Sequence, residues 1–250
     1  MAALTIFGIQ GMPEITPGTD LAEAVFEAAT SSGTPLESGD VLVITSKIVS
    51  KAENQIVQLE DIEPSPFAKQ YAERWEKDPA IIELVLRESK RVVRQVGPIF
   101  ITETRHGFIC ANAGIDQSSS GGHGRALLLP VDPDASCVRI RSGLKAKGLD
   151  VAVIMSDTFG RPWREAQTDI AIGIAGMQPV TSYIGQIDPH GHEFRVQALC
   201  TADEIAGAAE LVKGNLSRVP AAVVRGLVWE RDETATMQSI IRDSERDVFR

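Results

Sequence analysis

The run Val151-Ala152-Val153-Ile154-Met155 constrains this chain more than any other feature. Five consecutive apolar residues between Gly148 and the polar Ser156-Asp157-Thr158 read as a buried strand. Val41-Leu42-Val43-Ile44 follows a Gly39-Asp40 turn and reads as a strand buried on both faces. Such strands need helices packed above and below a sheet. Asp20-Leu21-Ala22-Glu23 pairs an oxygen cap with an acid three residues on, and Leu21, Ala24, Val25 and Ala28 then form one helical face. A helical block is expected from Pro66 to Lys90, split at Pro79, which has no N–H to donate. A further helix is expected from Asp134 to Lys147, and another from a capping-box pattern at Thr201 to near Gly214.

Between these lie β signals. Leu4 to Ile9, Ile170 to Ile174, Phe194 to Leu199 and Ala221 to Val224 read as strands. Val92 to Cys110 reads as two or three strands with turns at Gly97-Pro98 and His106-Gly107. Ser118 to Gly124 reads as a Ser/Gly loop, and a charged helix is expected at the C-terminus. The sum is a mixed α/β (α+β) chain with more than one sheet. Its irregular alternation argues against a TIM barrel and a simple Rossmann fold.

Composition removes several classes of function. Acids outnumber bases 34 to 25, for a net charge of −9, so the surplus of Lys and Arg that a phosphate-backbone binder needs is missing and no nucleic-acid partner is expected. Aromatics are 5% of residues, too few for a base-stacking platform. The three cysteines, Cys110, Cys137 and Cys200, are far apart and form no C-x-x-C pair, which fits a reducing cytoplasm and neither a disulfide framework nor a zinc knot. The N-terminus lacks the basic and apolar regions of a signal peptide. The charge-free stretch Ile170–Ile187 is broken by Gly173, Gly176, Pro179 and Gly185, so no membrane span is expected.

Neither a G-x-x-x-x-G-K-[ST] loop nor a G-x-G-x-x-G fingerprint after a strand is present. Four other segments carry candidate chemistry. Thr45-Ser46-Lys47-Ile48-Val49-Ser50-Lys51 follows a buried strand, where α/β sheets bind ligands, and its lysines and hydroxyls suit phosphate oxygens. Taken alone, it also fits an ordinary polar turn opening a helix. Asn112 to Ser119 places Asp116 in a small-residue loop, as a ligand for a hard cation or as a turn residue. Asp157-Thr158-Phe159-Gly160-Arg161-Pro162-Trp163-Arg164 combines acid, hydroxyl and two guanidiniums. The first pair suits Mg²⁺ or Mn²⁺, and the arginines suit carboxylate or phosphate. Lys213 to Arg218 reads first as a glycine helix stop.

Together these segments resemble the coenzyme F420-0:γ-glutamyl ligase family. The likeness runs from Gly11-Met12-Pro13 and Gly18-Thr19-Asp20-Leu21-Ala22 through Gly39 to Val43, Ser46-Lys47 and Ser50-Lys51-Ala52-Glu53. It continues with Asn112 to Asp116, Leu128-Leu129-Pro130, Asp132-Pro133-Asp134, Asp157-Thr158, Gly160-Arg161, Ala202 to Ala206 and Pro220 to Gly226. Each motif is short, but their order spans nearly the whole chain. The resemblance is to the free-standing form, without a fused flavin-binding reductase domain. It implies one functional unit over residues 1–250, built as a two-part mixed-sheet fold that forms an intertwined homodimer.

The resemblance also implies a GTP-dependent ligase that joins L-glutamate to coenzyme F420-0, with two Mn²⁺ or Mg²⁺ ions and assistance from K⁺. Its metal ligands carry over to Asp116, Asp157 and Thr158. Asn215 stands where the family's loop often holds an acid or glutamine ligand. Nucleotide contacts carry over to Met12, Pro13, Glu14 and Ile15, to Ser46, Lys47, Lys51 and Ser119, and to Lys213, Gly214, Asn215, Leu216, Ser217, Arg218, Val219 and Pro220. From chemistry alone, Lys51 is assigned to charge neutralisation, and Arg161 and Arg164 to holding the substrate's phosphate or carboxylates. Amide formation from a carboxylate is uphill, so activation as an acyl phosphate is expected. A metal-dependent phosphatase or nucleotidase using the same acids, and a non-catalytic nucleotide-binding protein, are the alternatives at this point.

Overall fold

The computed structural model of the chain describes residues 3–118, 120 and 122–247. Strand β1 (Thr5–Gly8) leads to α1 (Leu21–Ser31), where the Asp20 carboxylate accepts from the Ala22 and Glu23 amides as its pattern predicts. Strand β2 (Val41–Thr45) passes directly into α2 (Ser46–Ala52). Next come β3 (Ile56–Gln58), α3 (Pro66–Trp75) and α4 (Pro79–Arg87). Pro79 splits the helical block by opening α4 behind the Asp78 cap, a place where its missing N–H costs nothing.

A meander follows, formed by β4 (Ser89–Val96), β5 (Ile99–Thr104) and β6 (Ile109–Ala111). Then come β7 (Arg125–Leu127), α5 (Pro133–Ala146), and the long hairpin of β8 (Ala152–Arg161) and β9 (Arg164–Met177). The remaining elements are β10 (Thr181–Ser182), β11 (Ala198–Leu199), α6 (Thr201–Lys213), β12 (Ala221–Arg225) and β13 (Arg231–Asp232).

The main sheet runs β1-β12-β2-β8-β9-β13. Its β2–β8 pair is parallel, and the other four pairings are antiparallel. Both expected apolar runs sit at its centre, side by side. Their side chains alternate between two cores, as pleating requires. Leu42, Ile44, Val153 and Met155 face α1, α2 and α5, while Val41, Val43, Ala152 and Ile154 face α6. Smaller clusters pack α3 and α4 against the meander and against the β3–β7 pair. Among the described residues, no helix is long and apolar enough to cross a membrane.

Four expectations change. β8 continues for six residues past Met155, so Asp157 and Thr158 lie within a strand and not at its end. The Phe194–Leu199 strand shrinks to Ala198–Leu199, because it pairs only with the short, exposed β10. The C-terminal segment forms two short 3₁₀ turns, Met237–Ile240 and Ser244–Arg246, in place of an α-helix. At α6 the cap is Cys200, without a side-chain bond. The Thr201 hydroxyl instead meets Thr181, and the Asp203 carboxylate accepts from the Ala171 amide, so tertiary partners have taken both groups from the capping box.

Candidate active site

The junction of β2 and α2 carries the cations. Helical spacing puts Lys47 and Lys51 four residues apart on one face of α2. Lys51 Nζ donates to Glu14 Oε1 at 2.7 Å. Lys47 Nζ lies 3.4 Å from Asp116 Oδ2. The Asp116 backbone is pinned across to β7 by reciprocal bonds with Leu127. Its other carboxylate oxygen accepts from the Ser118 amide at 2.7 Å and the Ser118 hydroxyl at 2.6 Å. The turn before it is tight, with Asn112, Ala113 and Gly114 all at positive φ, and a Cβ at Gly114 would stand 2.9 Å from Leu129.

Strand β8 supplies neighbours that point opposite ways. Asp157 follows Met155 and Phe159 toward the α2 side, while Ser156 and Thr158 turn toward α6. Burial pushes the Asp157 carboxyl up to about 6, against the Thr158 backbone N–H, the Lys47 ammonium and the Ser46 hydroxyl, which all favour its charged form. On the α6 side, Thr158 Oγ1 donates to Asp169 Oδ1 at 2.7 Å and Ser156 Oγ donates to Asp169 Oδ2 at 2.8 Å. Lys213 Nζ donates to both Asp169 Oδ2 and Ser156 Oγ at 2.7 Å. Lys213 and Asp169 are each 3% exposed. Burial opposes charge on Asp169, but the Lys213 ammonium and the two hydroxyls outweigh it and hold this carboxyl below the usual range.

These groups border two adjoining clefts. The first, about 490 Å³, is lined by Met12–Ile15, Lys47, Lys51, Glu210, Gly214, Arg218 and Pro220 among others. The second, about 640 Å³, is lined by Asn112, Asp116, Ser118, Asp157, Phe159, Gln167 and Leu216 among others. Lys47, Thr158 and Asn215 line both and so form the shared wall.

Most of the expected site residues therefore meet. Met12, Pro13, Glu14, Ile15, Lys47, Lys51, Lys213, Gly214, Asn215, Arg218, Val219 and Pro220 reach the first cleft, and Asp116, Asp157, Thr158 and Leu216 the second. Ser46 is buried behind the wall against Asp157. The Ser217 hydroxyl turns back to the Lys213 carbonyl. The Lys213 ammonium is committed to Asp169 and Ser156, so the backbone beyond it, more than its charge, faces the cleft. Arg161 and Arg164 flank the hairpin turn and line neither cleft. Ser119 lies outside the described residues.

Asp169, Ser156 and Glu210 are site residues that sequence reading missed. A plain hairpin turning at Pro162-Trp163 would set Gln167 opposite Thr158. A bulge at the tip, where Ala166 takes φ 65°, shifts the register so that Asp169 stands there instead. The positive φ of an alanine has no sequence signature, so the pairing was invisible.

Among the described residues, no three His, Cys, Asp or Glu side chains form a preformed cage. Two carboxylates on the α2 side of β8, and a hydroxyl and an amide at the shared wall, are oxygen donors suited to hard cations that complete their shells with water and substrate phosphate. That donor set fits Mg²⁺ or Mn²⁺.

The family model described as F420-0:Gamma-glutamyl ligase matches residues 9–226. A protein of Methanothermobacter thermautotrophicus named Coenzyme F420:L-glutamate ligase is 42% identical over 250 residues, covering 99% of both chains. Proteins of the same name from Methanopyrus kandleri and Archaeoglobus fulgidus are 43% and 40% identical, covering 100% and 98% of this chain and 100% and 96% of their own.

Proposed function

From the premise that the chain belongs to the F420-0:γ-glutamyl ligase family, we propose that it joins L-glutamate to coenzyme F420-0 through an acyl phosphate, with GTP as phosphoryl donor. The observation that carries this reading is the shared wall of Lys47, Thr158 and Asn215 between a cleft that gathers Lys51, Lys213 and Arg218 beside Glu14, Asp169 and Glu210, and a cleft bordered by Asp116 and Asp157. Phosphoryl transfer needs two substrates brought to one point from opposite sides, with little covalent work by the protein. We assign the nucleotide to the first cleft and the acceptor to the second.

Lys51 and the loop from Gly214 to Pro220 hold the nucleotide. Lys47 sits at the wall and neutralises phosphate charge. Asp116, Asp157 and Thr158, with Asn215, are the residues that would hold Mn²⁺ or Mg²⁺, which when bound offsets charge on the phosphate oxygens. Phe159 and the Asn112–Gly114 turn shape the acceptor side and keep water from the activated carboxyl. The glutamate amine then attacks that carboxyl and phosphate leaves. No protein nucleophile is needed: burial pushes the Cys110 thiol up to about 12, far from a reactive thiolate. K⁺ assistance, further γ-linked glutamates and an intertwined homodimer belong to the same proposal. Exposed Trp163, Val196 and Leu216 are apolar surface for a second copy.

The test is mass spectrometry after incubation with GTP, Mn²⁺, glutamate and F420-0 carrying oxygen-18 in its carboxylate. The expected result is a glutamyl product with label in the released phosphate. Label retained wholly in the product would defeat the acyl-phosphate route. Phosphate release without glutamate, at the full rate, would favour a phosphatase.

A further inference from the structure

We propose that Asp169 is a positioning residue of this site, fixing the Thr158 hydroxyl as an acceptor toward the cleft and tying it to the start of the 214–220 loop. The inference rests on the reading of Thr158 as a divalent-cation ligand.

A threonine hydroxyl has one proton and two lone pairs. Left to rotate, it offers a cation either its oxygen or a repelling hydrogen. Here its proton is committed, because Thr158 Oγ1 donates to Asp169 Oδ1 at 2.7 Å. Only lone pairs remain for the clefts that Thr158 lines. Asp169 is held in place as the acceptor by its other contacts. Its second oxygen takes the Lys213 ammonium at 2.7 Å and the Ser156 hydroxyl at 2.8 Å, and the lysine also reaches Ser156 at 2.7 Å. All of its partners are thus fixed to one another, and the carboxylate cannot turn away.

The second link runs through Lys213. It is the last residue of α6, and Gly214, the cap, opens the loop that borders the first cleft. One carboxylate therefore sets both a ligand oxygen on the second cleft and the root of the loop on the first. Glu210, 3.6 Å from the Lys213 ammonium, shares that lysine with Asp169.

The test is Mn²⁺ binding to the apoprotein, followed by loss of the free-ion paramagnetic resonance signal, for wild type, Asp169→Asn, Thr158→Val and the double variant. Asp169→Asn presents an amide hydrogen to Thr158 and frees its proton to face the cleft. Its dissociation constant should rise about 10-fold, as for other partners that orient metal ligands. Thr158→Val should match it, and the double variant should be no weaker than Thr158→Val alone. Excess Mn²⁺ should recover much of the turnover of Asp169→Asn, which a general loss of structure would not allow. Should that variant fail to fold with Lys213 unpaired, Asp169→Asn with Lys213→Met removes the stranded charge and is measured in its place. A folded variant with unchanged affinity, or effects of the two positions that simply multiply, would overturn the inference. Failure of the wild type to bind Mn²⁺ would instead strike the ligand assignment on which it rests.

Discussion

The two ends of the β8–β9 hairpin use similar residues to opposite effect. At the base, Ser156, Asp157, Thr158 and Asp169 lie where the sheet is covered by helices, and every polar group among them has a named partner. At the tip, Arg161, Trp163 and Arg164 stand around the turn, and Trp163 is 85% exposed. In the sequence, acid, hydroxyl and guanidinium fall within eight residues and look like one constellation. A strand advances about 3.3 Å per residue, so Arg161 is carried about 10 Å beyond Thr158 along the sheet. Closeness in sequence becomes closeness in space at a turn or on a helix face, and a strand undoes it.

The base should respond most sharply in activity. Asp116→Asn and Asp157→Asn each remove a charge from the proposed cation site, and turnover should fall by at least about 1,000-fold, about 4 kcal/mol of barrier. Circular dichroism should show the fold retained. Either variant working normally at limiting Mn²⁺ would dissolve the distinction between base and tip.

Stability should separate the ends next. Lys213→Met leaves the Asp169 carboxylate buried without its ammonium, and breaking such a pair costs about 3–5 kcal/mol. Trp163→Ala removes an exposed side chain and should cost no more than about 0.5 kcal/mol. Urea midpoints of the two variants give the comparison directly. Equal losses would mean that the tip is packed more tightly than the exposure of Trp163 implies, and sedimentation would then show whether a second copy is responsible.

The base and its surroundings were legible in the sequence where the signal was local. Unbroken apolar runs identified β2 and the start of β8, and the Asp20 cap and Pro79 marked α1 and α4. Lys47 and Lys51 could be read as one face because α2 has a fixed period. Asp116, Asp157 and Thr158 could be named only as members of an ordered set of motifs, since no local rule brings them together. Asp169 could not be named at all. Its place opposite Thr158 depends on a bulge at Ala166, and its ionised state on a lysine at the end of α6, 44 residues later. The extent of β8 was missed for a related reason. Ser156 to Arg161 has no apolar alternation of a simple kind, and it is a strand because β9 pairs with it.

Acidity gives a third contrast, within the base itself. Asp157 and Asp169 are shifted in opposite directions: burial lifts the first to about 6, and the Lys213 pair overcomes burial to hold the second below the usual range. An acid raised above its ordinary 3.8 stabilises the fold relatively at low pH, and that advantage fades as pH climbs toward about 6. Without metal, Asp157→Asn should therefore gain on wild type in stability between pH 4 and 7, by an amount on the order of 1–3 kcal/mol at the upper end, read as a rising difference in melting temperature. Mn²⁺ needs the ionised form, so wild-type affinity should strengthen as pH rises through about 6. A flat profile in both measurements would mean that Asp157 is already ionised at pH 5, with the Lys47 ammonium outweighing burial.

The smallest effect is expected at the tip, and it decides whether the hairpin acts within one chain. Arg161 and Arg164 carry the guanidiniums best suited to a phosphate or carboxylate, yet neither lines these two clefts, and Arg161 donates to the Glu165 carbonyl at 3.5 Å. Arg164 is exposed and Arg161 half-buried, and an arginine contributes little to a site that it does not touch, since water and salt screen its charge within about 10 Å. Replacing both with alanine should leave the Michaelis constant for the acceptor within about twofold and the turnover number unchanged. A tenfold rise in that constant, with the turnover number intact, would mean that the tip reaches an acceptor after all. Gly160 and Gln167 line the second cleft, so Arg161 stands one residue beyond its rim, and the site reached would be that of its own chain or that of a second copy. Mixing the double arginine variant with an Asp157→Asn chain would then settle the matter. Each mixed pair would unite an intact base with an intact tip, and the low Michaelis constant would return only if one chain's hairpin serves the other's cleft.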